Sequence, residues 1–417
     1  MGFAHHPLLH LEDPFLPPYS TEAHPVADPG LKSDRAAVSL VCRSWRYVAS
    51  QIIHEYLIIR TIPQLQAIVQ KLEECQDSES VADFVQRIDF AIQPDSDPQT
   101  ASPDLIVRLL KHTKRLMIYV NKNGSDYTPE TQTPSTVMQA LAEHCGSSLQ
   151  RLEWSNVGEA PTWPDLADLC RHTTNLKTLH LTWIFSYPEE PLESNLELPY
   201  LETLSLGLIP DPIDNIIQLP TTWDPLLNYF ASDPELLPSL RRFEIEIFPT
   251  NLRFFRVHGF KIRSFRTTNW SAPPMLPHTL PLLRNLETLI LTQSTEYVTL
   301  PSSHPSLRRI CVAPFMEDQI TVPPRLFHTA VLTPLDSVML SIDSTHLPRL
   351  EEVRLRNIGI LMNLVDEPAW LLKWAKRWKF KGVKFCDVHG QSFSQTPVTD
   401  EPRQDPDNDP LLDAVRG

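Results

Sequence analysis

LPYLETLSL, residues 198–206, sets its leucines three, three and two positions apart, with mostly polar residues in the gaps. Leu204 and Leu206 flank one polar residue, which is the period of a strand buried on one face. The phrase L-x-x-L-x-L recurs, often with Pro or Asn before the first leucine, in GSSLQRLEW (146–154), TTNLKTLHL (173–181), LPSLRRFEI (237–245), LRNLETLIL (283–291), HPSLRRICV (304–312) and LPRLEEVRL (347–355), and more loosely in FVQRIDF (84–90) and NLRFFRV (251–257). Together these stretches predict leucine-rich repeats, in which each unit supplies a strand and a return segment, and the apolar face of a unit is covered only by a neighbouring unit.

The repeats are unevenly spaced. Starts at Leu149, Leu176 and Leu201 lie 27 and 25 residues apart, within the about 20–29 that is typical of this repeat. The next starts follow at intervals of 39, 12, 34, 21 and 43 residues, at Leu240, Leu252, Leu286, Leu307 and Leu350. The 12-residue interval is too short for a full unit and predicts a local hairpin or meander. We therefore expect an α/β fold, an irregular leucine-rich-repeat solenoid with long loops over residues 61–390, preceded by a short all-α module.

The region before the repeats divides into two parts. Residues 1–32 are rich in proline and predict a flexible N-terminus. Ser33 or Asp34 can cap a helix, and apolar residues then recur at helical spacing over residues 33–60, at Val38, Val41, Trp45, Val48 and Ile52. YLIIR (56–60) predicts a short buried strand, and a helix beginning near Pro63 should bury Leu65, Ile68 or Val69, and Leu72.

The C-terminal region predicts a helix, a strand and a tail. DEPAWLLKWAKRWKFKGVKF (366–385) favours a helix at about 367–380, because Asp366 can cap it, Pro368 suits its first turn and its cations gather late. Trp370, Trp374 and Trp378 share one face. We expect that face to cap the solenoid, although with the neighbouring lysines it could instead stack bases or lie on an anionic membrane. Residues 391–417 predict a disordered acidic tail.

Composition restricts the class of protein. The formal charge of −14 over 417 residues argues against general nucleic-acid binding. The first residues lack the basic and apolar regions of a secretory signal, and no uncharged apolar run approaches the ~20 residues of a membrane helix. We therefore expect a reduced, soluble protein of the cytoplasm, the nucleus or both, with no nucleic-acid or membrane partner.

No pattern of residues indicates catalysis, a metal or a cofactor. The six cysteines, at positions 42, 75, 145, 170, 311 and 386, form no C-x-x-C pair. His5 and His6 are adjacent, and Cys386 with His389 forms a C-x-x-H that has no second half. The sequence contains no nucleophile elbow, phosphate loop, dinucleotide fingerprint or zinc-protease motif. We also expect Glu351 and Glu352, which occupy variable positions of a repeat, to be solvated.

SLVCRSWRYVAS (39–50) raises the question whether Cys42 is a nucleophile or a packing residue. The helical stripe places it beside Val41 and one turn from Trp45, and buried free cysteine commonly behaves as a small hydrophobe. Packing or contact with a partner is therefore favoured over nucleophilic or metal chemistry.

The stretch AAVSLVCRSWRYVASQIIHEYLII (36–59), followed by leucine-rich repeats, resembles the F-box proteins, in particular the large fungal class with irregular repeats. Leu40, Val41, Cys42 and Trp45 match the family's L-V-C-x-x-W core, and Arg43 holds its common basic place. The resemblance implies that these residues contact a Skp-type adaptor, which links the chain to a cullin ubiquitin ligase, while the repeats hold a protein substrate. The family's opening L-P-x-E helix has no full counterpart in this sequence, since only Leu16, Pro17 and Pro18 resemble its start, so the resemblance implies an F-box that is incomplete at its N-terminus.

The leading hypothesis is thus a non-catalytic substrate-recognition subunit of a Skp–cullin–F-box ubiquitin ligase. The alternative is a leucine-rich-repeat scaffold with a vestigial F-box and no ligase link. A hydrolase or transferase whose site is too dispersed to form a motif is a third hypothesis. The sequence points to no individual substrate contact.

Overall fold

The computed structural model describes residues 55–74, 81–92, 103–124, 131–155, 158–185, 196–207, 222–268, 275–292, 298–313, 331–356, 368–387 and 390–393. The four residues that match the F-box core, Leu40, Val41, Cys42 and Trp45, lie outside these ranges, as do the other members of the predicted helical stripe, Val38, Val48 and Ile52.

Twelve parallel strands form one open α/β sheet, and their order along the sheet follows their order along the chain. Strands β4 (Thr131–Gln132) and β6 (Glu159–Ala160) form a separate two-stranded ladder. The sequential order is consistent with a solenoid-like arrangement. The twelve strands are β1 (Tyr56–Ile59), β2 (Arg87–Phe90), β3 (Ile118–Asn121), β5 (Arg151–Trp154), β7 (Thr178–Leu181), β8 (Thr203–Leu206), β9 (Arg242–Ile245), β10 (Ser264–Thr268), β11 (Thr288–Thr292), β12 (Arg309–Ala313), β13 (Glu352–Leu355) and β14 (Lys384–Cys386).

Return segments connect the strands, because successive parallel strands require a crossover connection, and nine of the eleven contain an α-helix among the described residues. In the return to β7, for example, Thr162 accepts a hydrogen bond from the Asp165 amide, as an N-cap should, and the helix buries Leu166, Leu169 and Cys170. The described α-helices are α1 (Ile62–Glu74), α2 (Pro103–His112), α3 (Ser135–Ala140), α4 (Trp163–His172), α5 (Asp224–Phe230), α6 (Arg253–His258), α7 (Leu276–Thr279), α8 (Thr333–Ser344) and α9 (Pro368–Phe380).

The apolar core lies between the sheet and the helices. Because side chains alternate along a strand, the second and fourth residues of each strand share a face. In β8 these are Leu204 and Leu206, and both belong to the one large cluster of buried apolar residues. The strand register stacks Leu204 on Leu179 and Phe243, and Leu206 on Leu181 and Ile245.

In five of the repeats, a polar residue just before the first leucine of the phrase bonds to the preceding unit. Asn285 Nδ2 donates to the carbonyl of Phe260 at 2.7 Å, and Ser239 Oγ donates to the carbonyl of Pro199 at 2.6 Å. Ser148, Asn175 and Ser306 make the same kind of bond. These bonds give a physical reason for the polar lead-in of the repeats, since they satisfy turn carbonyls that no strand or helix pairs.

The seven stretches with the full phrase all form strands of the sheet, as predicted, and so does FVQRIDF. NLRFFRV does not, because Arg253–His258 is helix α6, with Phe254, Phe255 and His258 buried. The next strand is β10, six residues after that helix, and neither a hairpin nor a meander fills the 12-residue interval.

Three further predictions concern the two ends of the sheet. The strand at Tyr56–Ile59 pairs with β2, so the sheet already begins before residue 61. The helix expected near Pro63 is α1, which buries Leu65, Val69 and Leu72. The helix with the three tryptophans is α9, and β14 follows it.

Candidate functional site

The first and third residues of the strands form a second face, opposite the helices, which we call the polar face. Four strands place opposite charges two residues apart on it: Arg87 with Asp89, Arg151 with Glu153, Arg242 with Glu244, and Glu352 with Arg354. All eight side chains are at most 13% exposed. Buried charges persist in proteins when they are paired and hydrogen-bonded, and here each strand supplies both partners.

At the N-terminal edge, the polar face centres on Asp89. Arg87 donates to its two oxygens at 2.7 and 2.8 Å, and the Tyr56 hydroxyl donates to Oδ2 at 2.7 Å. The Arg87 guanidinium also lies 4.7 Å from the centre of the Tyr56 ring. Burial, together with the adjacent carboxylate, raises the pKa of the Tyr56 phenol well above its usual value, so the phenol remains a hydrogen-bond donor.

In the middle of the polar face, Glu153, His180, Ser205 and Glu244 are register neighbours on β5, β7, β8 and β9. Glu244 accepts from Arg242 Nε at 2.5 Å and from Ser205 Oγ at 2.9 Å. Glu153 accepts from Arg151 Nε at 2.9 Å.

Burial and pairing fix the protonation of this row. Burial alone would raise the pKa of the Glu153 carboxyl, but Arg151 and His180 outweigh it and lower that pKa to about 2. Arg242 and Arg266 likewise overcome burial and lower the pKa of Glu244 to about 2. Burial lowers the pKa of His180 to about 4 against the attraction of both carboxylates. Near pH 7 the row therefore holds two carboxylates and a neutral imidazole.

This row contains the residue types of a nucleophilic relay but not its geometry. The Ser205 hydroxyl donates to a carboxylate that Arg242 already holds, and Ser205, His180 and Glu244 are 2%, 1% and 3% exposed. A general base has to reach the proton of a substrate or nucleophile, whereas these side chains are almost fully buried. The charged side chains of this row are paired with arginines of the same sheet and are not exposed to solvent.

No protein family model and no curated protein matches this chain.

At the C-terminal edge, the Cys386 thiol donates to Glu352 Oε1 at 3.1 Å, and Arg354 donates to the same oxygen at 3.0 Å. Burial, with Glu352 beside it, raises the pKa of Cys386 to about 12. Burial also raises the pKa values of Cys145 and Cys170 to about 12. A nucleophilic cysteine needs thiolate near neutral pH, and the raised pKa values keep these three buried thiols protonated there.

Metal binding and membrane spanning find no support in the part of the chain that the structure describes. No group of three or more His, Cys, Asp or Glu side chains there is arranged to hold a metal ion. None of the described helices is both long enough and apolar enough to cross a membrane.

The tryptophan face of α9 packs inward. Trp370, Trp374 and Trp378 are all buried, and Asp336 of α8 accepts hydrogen bonds from the indoles of Trp370 at 2.8 Å and Trp374 at 2.6 Å. Tryptophans held in this way are not placed to stack on bases or to lie on a membrane surface.

The polar face is the feature that sequence reasoning missed. The glutamates at 351 and 352 differ: Glu351 is exposed, as expected, but Glu352 is largely buried beside Arg354, because it points to the polar face. The available signal was the motif R-x-D or R-x-E within a strand, which puts opposite charges on one face. It occurs at Arg87, Arg151 and Arg242, and reversed at Glu352.

Proposed function

We propose that this chain is a non-catalytic substrate-recognition subunit of a Skp–cullin–F-box ubiquitin ligase. Residues 33–60 would form a partial F-box that contacts a Skp-type adaptor through Leu40, Val41, Cys42 and Trp45. The parallel strands and their return segments would form a leucine-rich-repeat solenoid that holds a protein substrate. Such a subunit would act in the cytoplasm, the nucleus or both.

The observation behind this proposal is the stacking of strands that share one apolar phrase, directly after a sequence that matches the L-V-C-x-x-W core. Twelve strands follow chain order in one sheet, and Leu179, Leu204 and Phe243 illustrate how equivalent positions stack. Stacked repeats build extended surfaces suited to protein partners.

The chemistry of the polar face supports a non-catalytic role. Its buried carboxylates are held by arginines, as in Arg151–Glu153 and Arg242–Glu244, and burial keeps His180 neutral. Catalytic acids and bases instead need a free proton-transfer path and a pKa near the working pH.

A repeat scaffold with a vestigial F-box and no ligase link is the second candidate. The observation that favours it is the N-terminal sequence, in which Leu16, Pro17 and Pro18 are not followed by the amphipathic pattern expected of the helix that opens an F-box. Both candidates predict a protein-binding solenoid, and they differ only in adaptor binding.

Co-expression with a fungal Skp-type adaptor, followed by pull-down, separates the two. The test compares the intact chain with the double variant Leu40→Ala/Trp45→Ala and with Arg46→Ala, which changes a residue in the same stretch outside the L-V-C-x-x-W core. The ligase proposal expects adaptor capture by the intact chain and by Arg46→Ala, and its loss in the double variant.

Circular dichroism and thermal melting of each variant show whether the chain remains folded. A folded intact chain that captures no adaptor would exclude the ligase link and leave the scaffold. Capture that persists unchanged in the double variant would show that the four residues do not form the adaptor contact.

A further inference from the structure

An apolar cavity opens at the C-terminal edge of the sheet, between α9, β14 and the segment 390–393. It has a volume of about 490 Å³. Val383, Phe385 and Phe393 form its floor, and the rings of Phe385 and Phe393 lie 5.0 Å apart. Lys376 and Lys379 of α9 stand at its rim, with Lys384 of β14. We call this cavity the C-terminal groove.

The cations of α9 and the turn after it fall into two sets. On the side that faces α8, Lys373 pairs with Asp336, and Arg377 and Lys381 pair with Asp343. On the groove side, Lys376 and Lys379 are exposed and take part in no ion pair among the described residues. The groove therefore combines an apolar floor with two available positive charges, in a chain whose net charge is −14.

The chain itself contains a segment of matching chemistry. The described residues end at Phe393, which lines the groove. Residues 394–417 contain six acidic and two basic residues. Within them, Leu411 and Leu412 stand between Asp409 and Asp413, so two large apolar side chains are flanked by two carboxylates.

The stretch between Phe393 and Leu411 is long enough to bring Leu411 and Leu412 back to the C-terminal groove. Seventeen residues, 394–410, separate Phe393 from Leu411. A chain of this length spans about 20–25 Å on average if it behaves as a flexible coil. A tether of that kind gives an effective concentration on the order of millimolar, so even a weak contact would be occupied.

We propose that the C-terminal groove binds residues 405–415 of the same chain. Leu411 and Leu412 enter the apolar floor, and Asp409 and Asp413 pair with Lys376 and Lys379. The bound segment would exclude any other acidic, leucine-bearing peptide from the groove. This proposal does not depend on the ligase assignment, since no F-box residue takes part in it.

The test measures binding of a fluorescent peptide of residues 403–417 to full-length protein by anisotropy. In the variant Leu411→Ser/Leu412→Ser the chain's own segment is disabled, so we expect the peptide to bind at least tenfold more tightly than to the unmodified chain. Adding Lys376→Glu/Lys379→Glu to that variant should abolish binding. Adding Lys111→Glu/Lys114→Glu instead, at two exposed lysines far along the sequence, should leave the affinity unchanged, and a thermal melt confirms folding in each case.

Equal affinity for the unmodified chain and the leucine variant would overturn the proposal, as would no binding to either, or equal binding of a scrambled peptide. Carbodiimide cross-linking of the unmodified chain gives a second readout. We expect links from Lys376 or Lys379 to Asp409 or Asp413 within a single chain. Links found only in covalent dimers would assign the groove to a second copy and overturn the intramolecular contact.

Discussion

Within β5, Glu153 of the polar face pairs with Arg151, and both side chains are 2% exposed. Replacing Glu153 by Gln removes the carboxylate that pairs with the buried Arg151 guanidinium, and we expect a loss of about 3–5 kcal/mol in the free energy of unfolding. Replacing both residues, as Arg151→Met/Glu153→Leu, removes the charges together and should cost much less. Urea denaturation at pH 7 measures both. A double variant as unstable as Glu153→Gln would contradict this account.

The same carboxylate sets an acid limit on stability. Its pKa is about 2 in the folded chain, below the roughly 4.3 of an unfolded glutamate. Its contribution is therefore complete above pH ~4.3 and is lost as pH falls toward 2. In Glu153→Gln this part of the pH dependence should be missing.

His180 makes a separate contribution at milder pH. Burial lowers its pKa to about 4, whereas an unfolded histidine titrates near ~6.5, so the unfolded chain binds the proton first as pH falls. Stability from this group is complete above pH ~6.5 and declines down to about 4. We expect His180→Gln to reduce the slope of unfolding free energy against pH, between pH 6.5 and 4.5, by up to about 1.4 kcal/mol per pH unit.

Urea denaturation at several pH values measures that slope. Burial also lowers the pKa values of His258 and His304, so part of the slope should remain. His172→Gln, at an exposed position, is the matched control for the substitution itself. An unchanged slope in His180→Gln would show that this imidazole does not resist protonation in the folded chain.

At the scale of elements, two carboxylates of α8, Asp336 and Asp343, join it to α9 and the turn that follows, and Asp336 holds the tryptophan face. Asp336 accepts from the indoles of Trp370 and Trp374 and from the ammonium of Lys373 at 3.0 Å. Asp336→Ala leaves two largely buried donors without this acceptor, and we expect it to cost about 2–4 kcal/mol and to speed amide exchange throughout α9. Lys373→Ala removes only an exposed partner and should cost less than about 1 kcal/mol. Similar effects of the two substitutions would contradict this role for Asp336.

Which strands could be predicted from the sequence also depends on single side chains. The L-x-x-L-x-L phrase identifies β8 because Leu201, Leu204 and Leu206 fill all three of its apolar positions. The phrase does not identify β3 and β10, because its last position is occupied there by Asn121 and Thr267, which are polar yet buried. With β10 in place, the starts at Leu240, Ile262 and Leu286 are 22 and 24 residues apart, within the usual repeat length of about 20–29.

The polar face was less predictable than the strands. Periodicity identifies which residues enter the core, but it assigns the alternate residues to solvent by default. Here those residues are buried too, and only the pairing of opposite charges on one strand, as in Arg242 and Glu244, distinguishes them from a solvated face. The candidate groove could not be predicted, because it is formed by α9, β14 and Phe393 together.

At the scale of the whole molecule, each strand contacts mainly the strands beside it. A destabilising substitution in a middle strand should therefore affect strands on both sides, whereas one at the edge should affect strands on one side only. Phe243 of β9 packs against Phe254, Phe255 and Phe265, whereas Phe385 lies on the edge strand β14. Truncating either buried ring to alanine costs about 3–5 kcal/mol locally. We expect Phe243→Ala to raise hydrogen exchange in strands on both sides of β9, and Phe385→Ala to raise it in β13, β14 and α9 alone. Exchange that rises uniformly in both variants would show a single cooperative unit.

The order of the strands also makes the sheet a spacer. Adjacent strands lie ~4.8 Å apart, so β1 and β14 are separated by about 50 Å along the sheet. Whatever precedes residue 55 joins at one edge, and whatever follows residue 393 joins at the other. Two molecules held at those edges would thus be kept a set distance apart, and gaining or losing one repeat would change that distance by a single strand width while leaving both attachment points intact.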